Sequence, residues 1–518
     1  MSKHLYHLIR SLSPAEKRSF DLWGNRYGGT LHYIALYQEI VGMFSEKPDA
    51  NFSIDERKLA ERLQTKGIDN KAFMDAKAYL YKMLLLSLRI QHEDESHESI
   101  IRANLEEAKL LERRGMVDAA IERYELALKD ARKYQHHSAT IEALKCLIFL
   151  KAQLDSKNYV ENIHNLLFML EVATGLLKEQ SYLFSNYSSA FVLVRTQKSF
   201  LEDARRVQID QILEAIDLIK TAPTDFFSRI YWHSAKASLA TVEKNREEAK
   251  KHYLKILEIW NDEEHRHLKT EHLRSYIIFL SNYLTFCIST RDKDAFDQNL
   301  EVLKNITTKN LEDEVEHFQN LMYVEHFHFL NAGNLEKADK LVGDIEKGFL
   351  KYTAKVNKAR ERTLRFNMML TSFGLEKFDD AINQIEHLTL KSPHREDLTT
   401  ASKLFELIIQ YKRHNHNALD TRVRSLIENL KYNDNLHDFE RSVLKHLSKL
   451  IKIQQTNTPD NRDKSKDTAT AFQEFFDEMK TLQNKEGFRK PSGFDAIVLW
   501  VRSNVEKKTF EHLLQVES

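Results

Sequence analysis

Glutamate and histidine three residues apart are the side chains that come closest to a recognisable chemistry. Glu161–His164 and Glu314–His317 have a spacing that puts a carboxylate and an imidazole on one helix face, as in the di-iron sites of helical bundles. Such a site also needs glutamates from two further helices around one cavity. The two pairs lie 153 residues apart, and pairs at this spacing arise by chance in a chain with 23 histidines. We therefore expect no metal site.

The other possible sites of chemistry are equally weak. One stretch combines three glutamates with three histidines: Glu263, Glu264, His265, His267, Glu271 and His272. Such a stretch is typical of a polar loop and helix start. The sequence contains no GxxxxGK[ST] phosphate loop, no GxSxG nucleophile elbow and no HExxH zinc motif. The sequence therefore predicts neither a cofactor nor an enzymatic activity.

The composition indicates an all-α protein. Glycine (13) and proline (6) are scarce, whereas sheet proteins need both in quantity for their turns. Hydrophobic residues make up 42% of the chain and charged residues 30%, values typical of folded proteins with a buried core. A chain of 518 residues is too long for one ordinary core, so several domains or a repeat array are expected.

Charge and hydropathy argue against a membrane or a general nucleic-acid binder. The 77 basic and 77 acidic side chains give a formal net charge of zero, which provides no global attraction to polyanions. No apolar run reaches the roughly 18–20 residues of a membrane span, and the first 20 residues do not resemble a secretory signal. Cys146 and Cys287 lie in separate apolar segments, which excludes a disulfide scaffold. We expect a cytoplasmic protein.

A helix-hairpin pattern recurs along the chain and must position whatever binds. Its four clearest occurrences are Ala108–Gly115–Ala120–Tyr124–Ala127, Ala237–Lys244–Ala249–Tyr253–Ile256, His326–Gly333–Ala338–Val342–Ile345 and Met369–Glu376–Ala381–Ile385–Leu388. With weaker units included, the second helices of about eight hairpins fall near Ala120, Asn162, Ala204, Ala249, Phe296, Ala338, Ala381 and Leu419. The intervals run from 38 to 47 residues, which is typical of stacked helix pairs.

The best unit, AKLLERRGMVDAAIERYELA at residues 108–127, resembles a tetratricopeptide repeat. Ala108 and Ala120 fit where the two helices of a pair come closest, and Gly115 supplies the left-handed end of the first helix. Tyr124 and Ala127 present a large and a small side chain to the next helix. The chain departs from the family in its interval of about 43 residues, against 34. It also departs at His326 and Met369, which replace the small residue of the first helix.

The resemblance implies a right-handed α-solenoid of antiparallel hairpins over residues 99–453, with partner segments bound along the first helices. The residues that it assigns to this groove are Arg102, Lys109, Arg113, Tyr231, Ser234, Asn320, Tyr323 and Phe327. One subgroup of the family grips a C-terminal carboxylate with a Lys and Asn set. Leu105 and Lys109 stand in those places in the best unit, so that pattern is not met. Arg102, Lys109 and Arg113 also suit an ordinary solvated helix face.

Residues 1–95 form a separate helical domain in this interpretation. Ser13 and Pro14 begin one helix, and Asn70 caps a longer helix that runs to about Ile90. A short helix at 58–63, a turn at 64–69 and the helix from Asn70 have the layout of a helix-turn-helix. Its reading helix offers Lys71, Asp75, Lys77 and Lys82. A plain N-terminal cap explains the same segment.

The chain ends in a linker and a helical segment. Residues 454–468 contain almost nothing apolar and are predicted to be a linker. Residues 469–518 contain a final helix whose start, at Phe494, Ile497, Val498, Trp500 and Val501, is apolar on nearly all sides. Such a helix must dock, either as a cap on the last repeat or as a segment that occupies the groove.

Three functions remain open from the sequence. The first is a scaffold or adaptor that binds a protein or peptide partner. The second is a transcriptional regulator with the helix-turn-helix of residues 1–95. The third is a repeat array that encloses a small ligand in a closed pocket. The sequence names no partner and no oligomeric state.

Overall fold

The protein is all-α over the residues that the structure describes. The computed structural model describes residues 2–25, 32–46, 54–92, 96–153, 159–195, 202–217, 223–353, 355–390, 395–414, 419–433, 436–455, 461–485, 488 and 490–517. These residues form 25 α-helices and one 3₁₀ turn at Glu263–His265, without a strand. The all-α prediction is confirmed.

The helices follow one another through short turns. In the first half of the chain they are α1 (Ser2–Ser11), α2 (Pro14–Asn25), α3 (His32–Glu46), α4 (Glu56–Gln64), α5 (Asn70–Gln91), α6 (His97–Arg113), α7 (Val117–Lys133), α8 (His137–Lys151), α9 (Tyr159–Arg195), α10 (Glu202–Asp217), α11 (Phe226–Val242), α12 (Arg246–Asn261) and α13 (Arg266–Glu271). In the second half they are α14 (Leu273–Thr290), α15 (Lys293–Lys304), α16 (Leu311–Asn331), α17 (Leu335–Lys351), α18 (Lys358–Gly374), α19 (Phe378–Thr389), α20 (Glu396–Lys412), α21 (Leu419–Tyr432), α22 (Asp438–Gln455), α23 (Asn461–Asn484), α24 (Phe494–Glu506) and α25 (Phe510–Glu517).

The chain divides into two compact units. The first contains Met1–Tyr182, Thr224–Ser228 and Arg266–Glu271. The second contains Leu183–Pro223, Arg229–His265 and His272–Ser518.

Within the first unit, α1 to α5 share an apolar core. Leu5, Phe20, Leu36 and Leu80 are among its fully buried members. One of its helices, α2, begins as the sequence predicts. The hydroxyl of Ser13 accepts a hydrogen bond from the N–H of Glu16 at the start of α2. In α5, however, the cap is Asp69 and not Asn70, because the Asp69 carboxylate accepts from the N–H of Ala72 at 2.7 Å.

In the second unit, alternate helices along the chain contact one another. α14, α16, α18, α20 and α22 contact one another in sequence, and each also packs against the helix that follows it. In the first unit, α6, α7 and α8 contact one another in the same manner. The second helices contact the following hairpin as well, as α17 does α18 and α19 does α20.

One turn geometry closes the hairpins. In six turns between residues 97 and 389 a residue has positive φ and the N–H of the next residue donates to the carbonyl five positions back, which is the Schellman motif. The six residues are Gly115, Gln135, Lys244, Arg291, Gly333 and Glu376. Five positions after each lies a buried residue of the second helix: Ala120, Thr140, Ala249, Phe296, Ala338 and Ala381. The pattern read from the sequence thus corresponds to a repeated backbone geometry.

The structure differs from the prediction in the middle of the chain. The hairpins placed near Asn162 and Ala204 share one uninterrupted helix, α9, which runs for 37 residues. Ala204 lies near the start of α10. No proline interrupts α9, and its glycine, Gly175, costs only about 1 kcal/mol in a helix interior, so nothing forces a break.

The predicted linker is also corrected in part. Residues 454–455 end α22 and residues 461–468 begin α23, while 456–460 lie outside the described residues. The Lys464 ammonium donates to the carbonyl of Gln454 at 2.7 Å, and the Gln454 side chain donates to the Thr468 hydroxyl at 3.3 Å. The first residues of α23 resemble a linker because they are polar. The residues of α23 that pack in the core begin only at Ala471.

Candidate partner-binding face

Most of the residues predicted to pack the repeats are buried. Ala108, Ala120, Tyr124, Ala127, Ala237, Ala249, Ala338 and Ala381 are fully buried. Gly115 and Gly333 adopt the left-handed conformation that ends the first helix. The hydroxyl of Tyr124 donates to Glu112 at 3.1 Å. Tyr253 is half-buried and stacks on Phe286, with ring centroids 5.4 Å apart.

The basic groove residues of the first unit are mostly neutralised. The Lys109 ammonium lies 2.8 Å from Glu142 and 3.0 Å from Glu106, and hydrogen bonds to these carboxylates raise its pKa. Arg102 is exposed and lies 4.0 Å from Glu98. Arg113 is exposed, without an ion pair among the described residues. This surface therefore provides one unpaired cation rather than a basic groove.

Tyr231 and Ser234 on α11 have different environments. Tyr231 is half-buried against Tyr187, with nearly parallel rings 6.1 Å apart, and against the edge of Phe184 at 5.2 Å. Ser234 is only 2% exposed. Of the two groove residues, only Tyr231 can therefore reach a partner.

The structure brings three predicted groove residues together with an arginine that the sequence did not single out. Tyr323 and Phe327 stack on α16, with ring centroids 5.6 Å apart and planes within 10°. The Arg360 guanidinium carbon of α18 lies 4.1 Å from the centre of the Tyr323 ring. Arg360 also donates to the Asn320 side-chain oxygen at 3.1 Å. We call Asn320, Tyr323, Phe327 and Arg360 the α16–α18 face.

Asn320 fixes the arrangement of this face and is too buried to contact a ligand itself. Its side chain is fully buried and donates to Glu316, both to the backbone carbonyl at 2.9 Å and to the carboxylate at 2.6 Å. Tyr323, Phe327 and Arg360 are each half-buried. The face therefore offers two stacked rings and a guanidinium in a fixed arrangement.

The C-terminal segment covers the next part of the first helices. The backbone at Gly493 approaches α18 and α20 so closely that a Cβ would lie 3.2 Å from the Phe405 ring and 3.5 Å from Phe366. Trp500 of α24 packs edge-on against Tyr411 at 6.4 Å. The helix α24 thus docks on the helices that the resemblance assigns to partner binding.

The last helix, α25, lies along the hairpin turns. The Phe510 ring meets the edge of Phe373 at 5.6 Å. A Cβ at Gly333 would lie 2.7 Å from the backbone nitrogen of Gln515. The Arg291 guanidinium donates to the carbonyl of Glu517. The tail is therefore an integral part of the second unit's packing.

In α5, the proposed reading helix of the N-terminal domain, one of the basic side chains offered for DNA contact is buried. Lys77 is 5% exposed; its ammonium lies 3.3 Å from Glu56 and 4.4 Å from the centre of the Phe73 ring. Lys71, Asp75 and Lys82 are exposed on α5. One of the three lysines of that helix is thus held inside the domain.

The candidate metal pairs have other roles. Glu314 accepts from Lys351 and Tyr352, and His317 bonds the backbone carbonyl of Leu303 at 2.7 Å. Glu161 and His164 are exposed on α9. No group of three or more possible metal ligands occurs among the described residues. Within the same residues, no helix is long and apolar enough to cross a membrane.

A small-ligand site would need an enclosed pocket with converging polar groups. A cleft of about 410 Å³ between α21 and α22 is partly open to solvent. Its lining combines apolar and basic side chains: Ile427, Leu436, Leu444, Lys431, Arg441 and Lys445. The Lys431 and Lys445 ammonium groups pair with Glu428 and Glu478 at 3.0 and 2.8 Å. The cleft lacks the enclosure that such a site requires.

Comparison with known proteins gives no match: no family model, no curated protein and no solved structure is similar to this chain.

Proposed function

We propose that the protein is a scaffold that binds a segment of a partner protein on the α16–α18 face. In this proposal the hairpins continue as a right-handed, tetratricopeptide-like α-solenoid, and the face lies on the first helices of two adjacent repeats. The observation that carries the proposal is the stack of Phe327, Tyr323 and the Arg360 guanidinium, which is fixed by Asn320 and half-exposed.

The chemistry of the face suits protein recognition. Tyrosine and arginine are enriched among the residues that dominate binding energy at protein interfaces. The Arg360 side chain is held at both its hydrogen-bonding end and its flat face, so binding a partner would order little that is not already ordered. An apolar side chain on the rings and a polar group beside the guanidinium are the contacts expected of a partner.

The chain's own C-terminal segment supports this use of the first helices. Phe494, Ile497 and Trp500 of α24 are fully buried in the cluster that contains Phe366 and Phe405 of α18 and α20. Burial of each such side chain stabilises by about 1.5–3 kcal/mol. First helices of this chain therefore provide an apolar face on which a helix can dock.

Site-specific photo-crosslinking tests the proposal. A photoreactive phenylalanine analogue placed at Phe327 in the full-length chain, expressed in its native cell, is expected to capture a discrete partner band. The matched control carries the analogue at Leu350 on α17, which is 76% exposed and lies on the second helix of the same hairpin.

The double variant Tyr323→Ala, Phe327→Ala supplies the second arm. With the analogue moved to Asn331, which is exposed one turn after Phe327 on α16, the double variant is expected to lose the partner band that the same position captures in the unaltered chain, while its circular dichroism spectrum stays unchanged. Equal capture from positions 327 and 350, or capture that survives the double variant, would overturn the proposal.

A further inference from the structure

The part of α9 that belongs to the first unit, up to Tyr182, packs inward with one side only. On that side Ala173 is buried, and the partly buried side chains are Leu166, Met169 and Leu170. These residues join the apolar core that α6, α7 and α8 form. Because successive residues of an α-helix are turned by about 100°, the side chains on the opposite side point away from that core.

The opposite side of this helix exposes large apolar side chains. Phe168 is 67% exposed, Leu167 and Val172 are each 45% exposed, and Tyr182 is 41% exposed. Only four of the 22 residues at 161–182 are charged. A helix that is apolar on both sides is normally covered on both, and an exposed apolar patch often marks a protein interface. This side of α9 therefore has the composition of an interface rather than of a solvated surface.

Five positions on this side follow one another at alternating intervals of three and four residues. They are Phe168, Glu171, Gly175, Lys178 and Tyr182, and all five are exposed. Positions with this spacing form a stripe along a helix, and they are the contact positions when two helices pack side by side. We call these five residues the α9 stripe.

Gly175 lies at the middle of the α9 stripe and leaves open space beside the helix. A Cβ at Gly175 would meet nothing within 4 Å. Glycine is unfavourable in a helix interior, so the helix itself does not explain its presence in α9. The distance between two packed helices depends on the side chains at their contact, and it is shortest where those are smallest. A second helix would therefore cross α9 most closely at Gly175.

The α9 stripe is complementary to itself when it is read in the opposite direction. Phe168 and Tyr182 each stand seven residues from Gly175, one on either side. Glu171 stands four residues before Gly175, and Lys178 stands three residues after it. When two copies of α9 cross antiparallel at Gly175, a twofold axis places Phe168 of one copy beside Tyr182 of the other. The same axis places Glu171 of one copy beside Lys178 of the other, and each contact occurs twice.

The two charged residues of the α9 stripe are available for such pairs. Glu171 and Lys178 are both exposed, and neither pairs with a charged group among the residues that the structure describes. Glu179 is turned by about 80° from Glu171 around the helix. The twofold axis therefore places Glu179 of one copy beside Val172 of the other, away from Glu171. Opposite charges meet in this arrangement, and like charges do not.

We propose that the α9 stripe joins two copies of this chain in an antiparallel dimer, with the twofold axis beside Gly175. A parallel pair would set Glu171 against Glu171 and Lys178 against Lys178, which is unfavourable. The match of the stripe to its own reverse favours a second copy over an unrelated partner. The inference goes beyond the proposed function and does not rest on it, since the α16–α18 face lies in the second unit.

The size of the stripe sets the strength expected of the dimer. The helix at 161–182 is about 33 Å long, and an interface of ordinary size buries about 800 Å² on each partner. One pair of helix faces lies at the lower end of that size. We therefore expect a dimer that forms at micromolar concentrations, and sedimentation velocity of the full-length chain from about 1 to about 200 µM measures it. The average mass is expected to rise toward twice that of one chain.

One substitution blocks the crossing point without filling any space in the folded chain. Gly175→Glu sets two carboxylates against each other at the twofold axis and is expected to weaken association by about tenfold or more. The matched control is Gly343→Glu on α17, where the glycine is also exposed and a Cβ would also meet nothing within 4 Å. The control is expected to associate as the unaltered chain does.

Exchange of the two charges tests the pairing itself. Glu171→Lys and Lys178→Glu each bring like charges together at both symmetric contacts, and each is expected to weaken association by about tenfold. The double variant Glu171→Lys, Lys178→Glu restores opposite charges at both contacts and is expected to associate as the unaltered chain does. Both residues are exposed, so the circular dichroism spectrum is expected to stay unchanged in all three variants.

Cysteine substitution tests the direction of the two helices. An oxidised mixture of Phe168→Cys chains and Tyr182→Cys chains is expected to form a disulfide-linked dimer. Either variant alone is expected to form none through the new cysteine, because the same residue of two antiparallel copies lies about 20 Å away from itself. The unaltered chain, with Cys146 half-buried and Cys287 buried, is the control for the native thiols.

The proposal fails if the chain stays single over the whole concentration range. It also fails if Gly175→Glu and Gly343→Glu associate equally, because the interface would then lie elsewhere. A double charge variant that does not regain association, or a disulfide in Phe168→Cys alone, would exclude the antiparallel arrangement. A single chain that still captures a partner at Phe327 would overturn the dimer and leave the proposed function standing.

Discussion

At the scale of single residues, two glycines at helix ends share one backbone conformation but differ in how tightly their surroundings pack. Gly115 and Gly333 both have positive φ, at 74° and 63°. A Cβ at Gly115 would meet nothing within 4 Å, whereas one at Gly333 would lie 2.7 Å from Gln515 of α25. Both glycines therefore allow the left-handed turn, but only Gly333 also leaves room for α25 to pack against the backbone.

Substitution of each glycine by alanine measures the two effects. Gly115→Ala is expected to cost about 1 kcal/mol, the conformational penalty alone. Gly333→Ala is expected to cost more, by about 1–3 kcal/mol, because it also displaces α25. Urea denaturation followed by circular dichroism measures both, and equal losses would show that α25 does not pack on that turn.

A buried histidine gives the fold a dependence on pH. His326 is fully buried, and burial, opposed by the charge of Asp339, lowers its pKa to about 4. In the unfolded chain the pKa is about 6.5. As the pH falls below 6.5 the unfolded chain takes up a proton that the folded protein does not. The free energy of unfolding therefore falls, by about 2 kcal/mol at pH 5 for this one residue.

Replacement of His326 by leucine removes that proton uptake. The difference in urea midpoint between pH 7.5 and pH 5.0 is expected to be smaller in His326→Leu than in the unaltered chain. The comparison of each variant with itself at two pH values cancels the packing cost of the substitution. An unchanged pH dependence would mean that folding does not lower the pKa of His326.

At the scale of the elements, α24 contributes buried aromatic contacts that stabilise the second unit. Trp500 is fully buried and meets Tyr411, Phe472 and Phe475 edge-on. Trp500→Ala is expected to cost about 3–5 kcal/mol, as large-to-small changes in cores do. Tyr432→Ala, on a side chain that is almost fully exposed, is the control and is expected to cost little.

A chain that ends at Gln455 would extend the same test. It would uncover Phe366 and Phe405 of α18 and α20, so we expect a lower melting temperature and binding of the dye ANS. A truncated chain with an unchanged melting temperature and no dye binding would identify α24 as a removable lid.

At this scale the sequence predicts the turn positions of the hairpins but not the length of α9. Lys244 and Glu376 were aligned with Gly115 by spacing alone, although neither is a glycine, and both adopt the same left-handed conformation. Spacing succeeded because the turn is fixed by hydrogen bonds within one hairpin. The continuity of α9 was missed because weak apolar periodicity does not distinguish a break from a long helix.

The candidate site was predictable only in part, for a similar reason. Asn320, Tyr323 and Phe327 follow from positions on one helix. Their contact with Arg360 joins two successive hairpins, through the hydrogen bond that Arg360 donates to Asn320. Contacts of this kind depend on packing between repeats, which local patterns do not encode.

At the scale of the whole molecule, the distribution of buried residues predicts where the structure opens last. The cluster that contains Phe366, Phe405, Leu447 and Trp500 spans α18, α20, α22 and α24. By contrast, α9 has few buried side chains for its 37 residues. Amide hydrogen exchange is expected to be slowest in α18, α20 and α22 and faster along α9. Similar protection throughout would show that the chain opens as one cooperative body.

The docking of α24 on helices made much earlier has a consequence during synthesis. Phe366 leaves the ribosome 134 residues before Trp500, an interval on the order of ten seconds at ordinary rates of translation. Throughout that interval α24 does not yet cover the apolar faces of α18 and α20, and slower translation would prolong their exposure. A premature stop codon before Phe494 would therefore leave α18 and α20 without α24, and we expect the cell's quality control to treat that chain as unfolded.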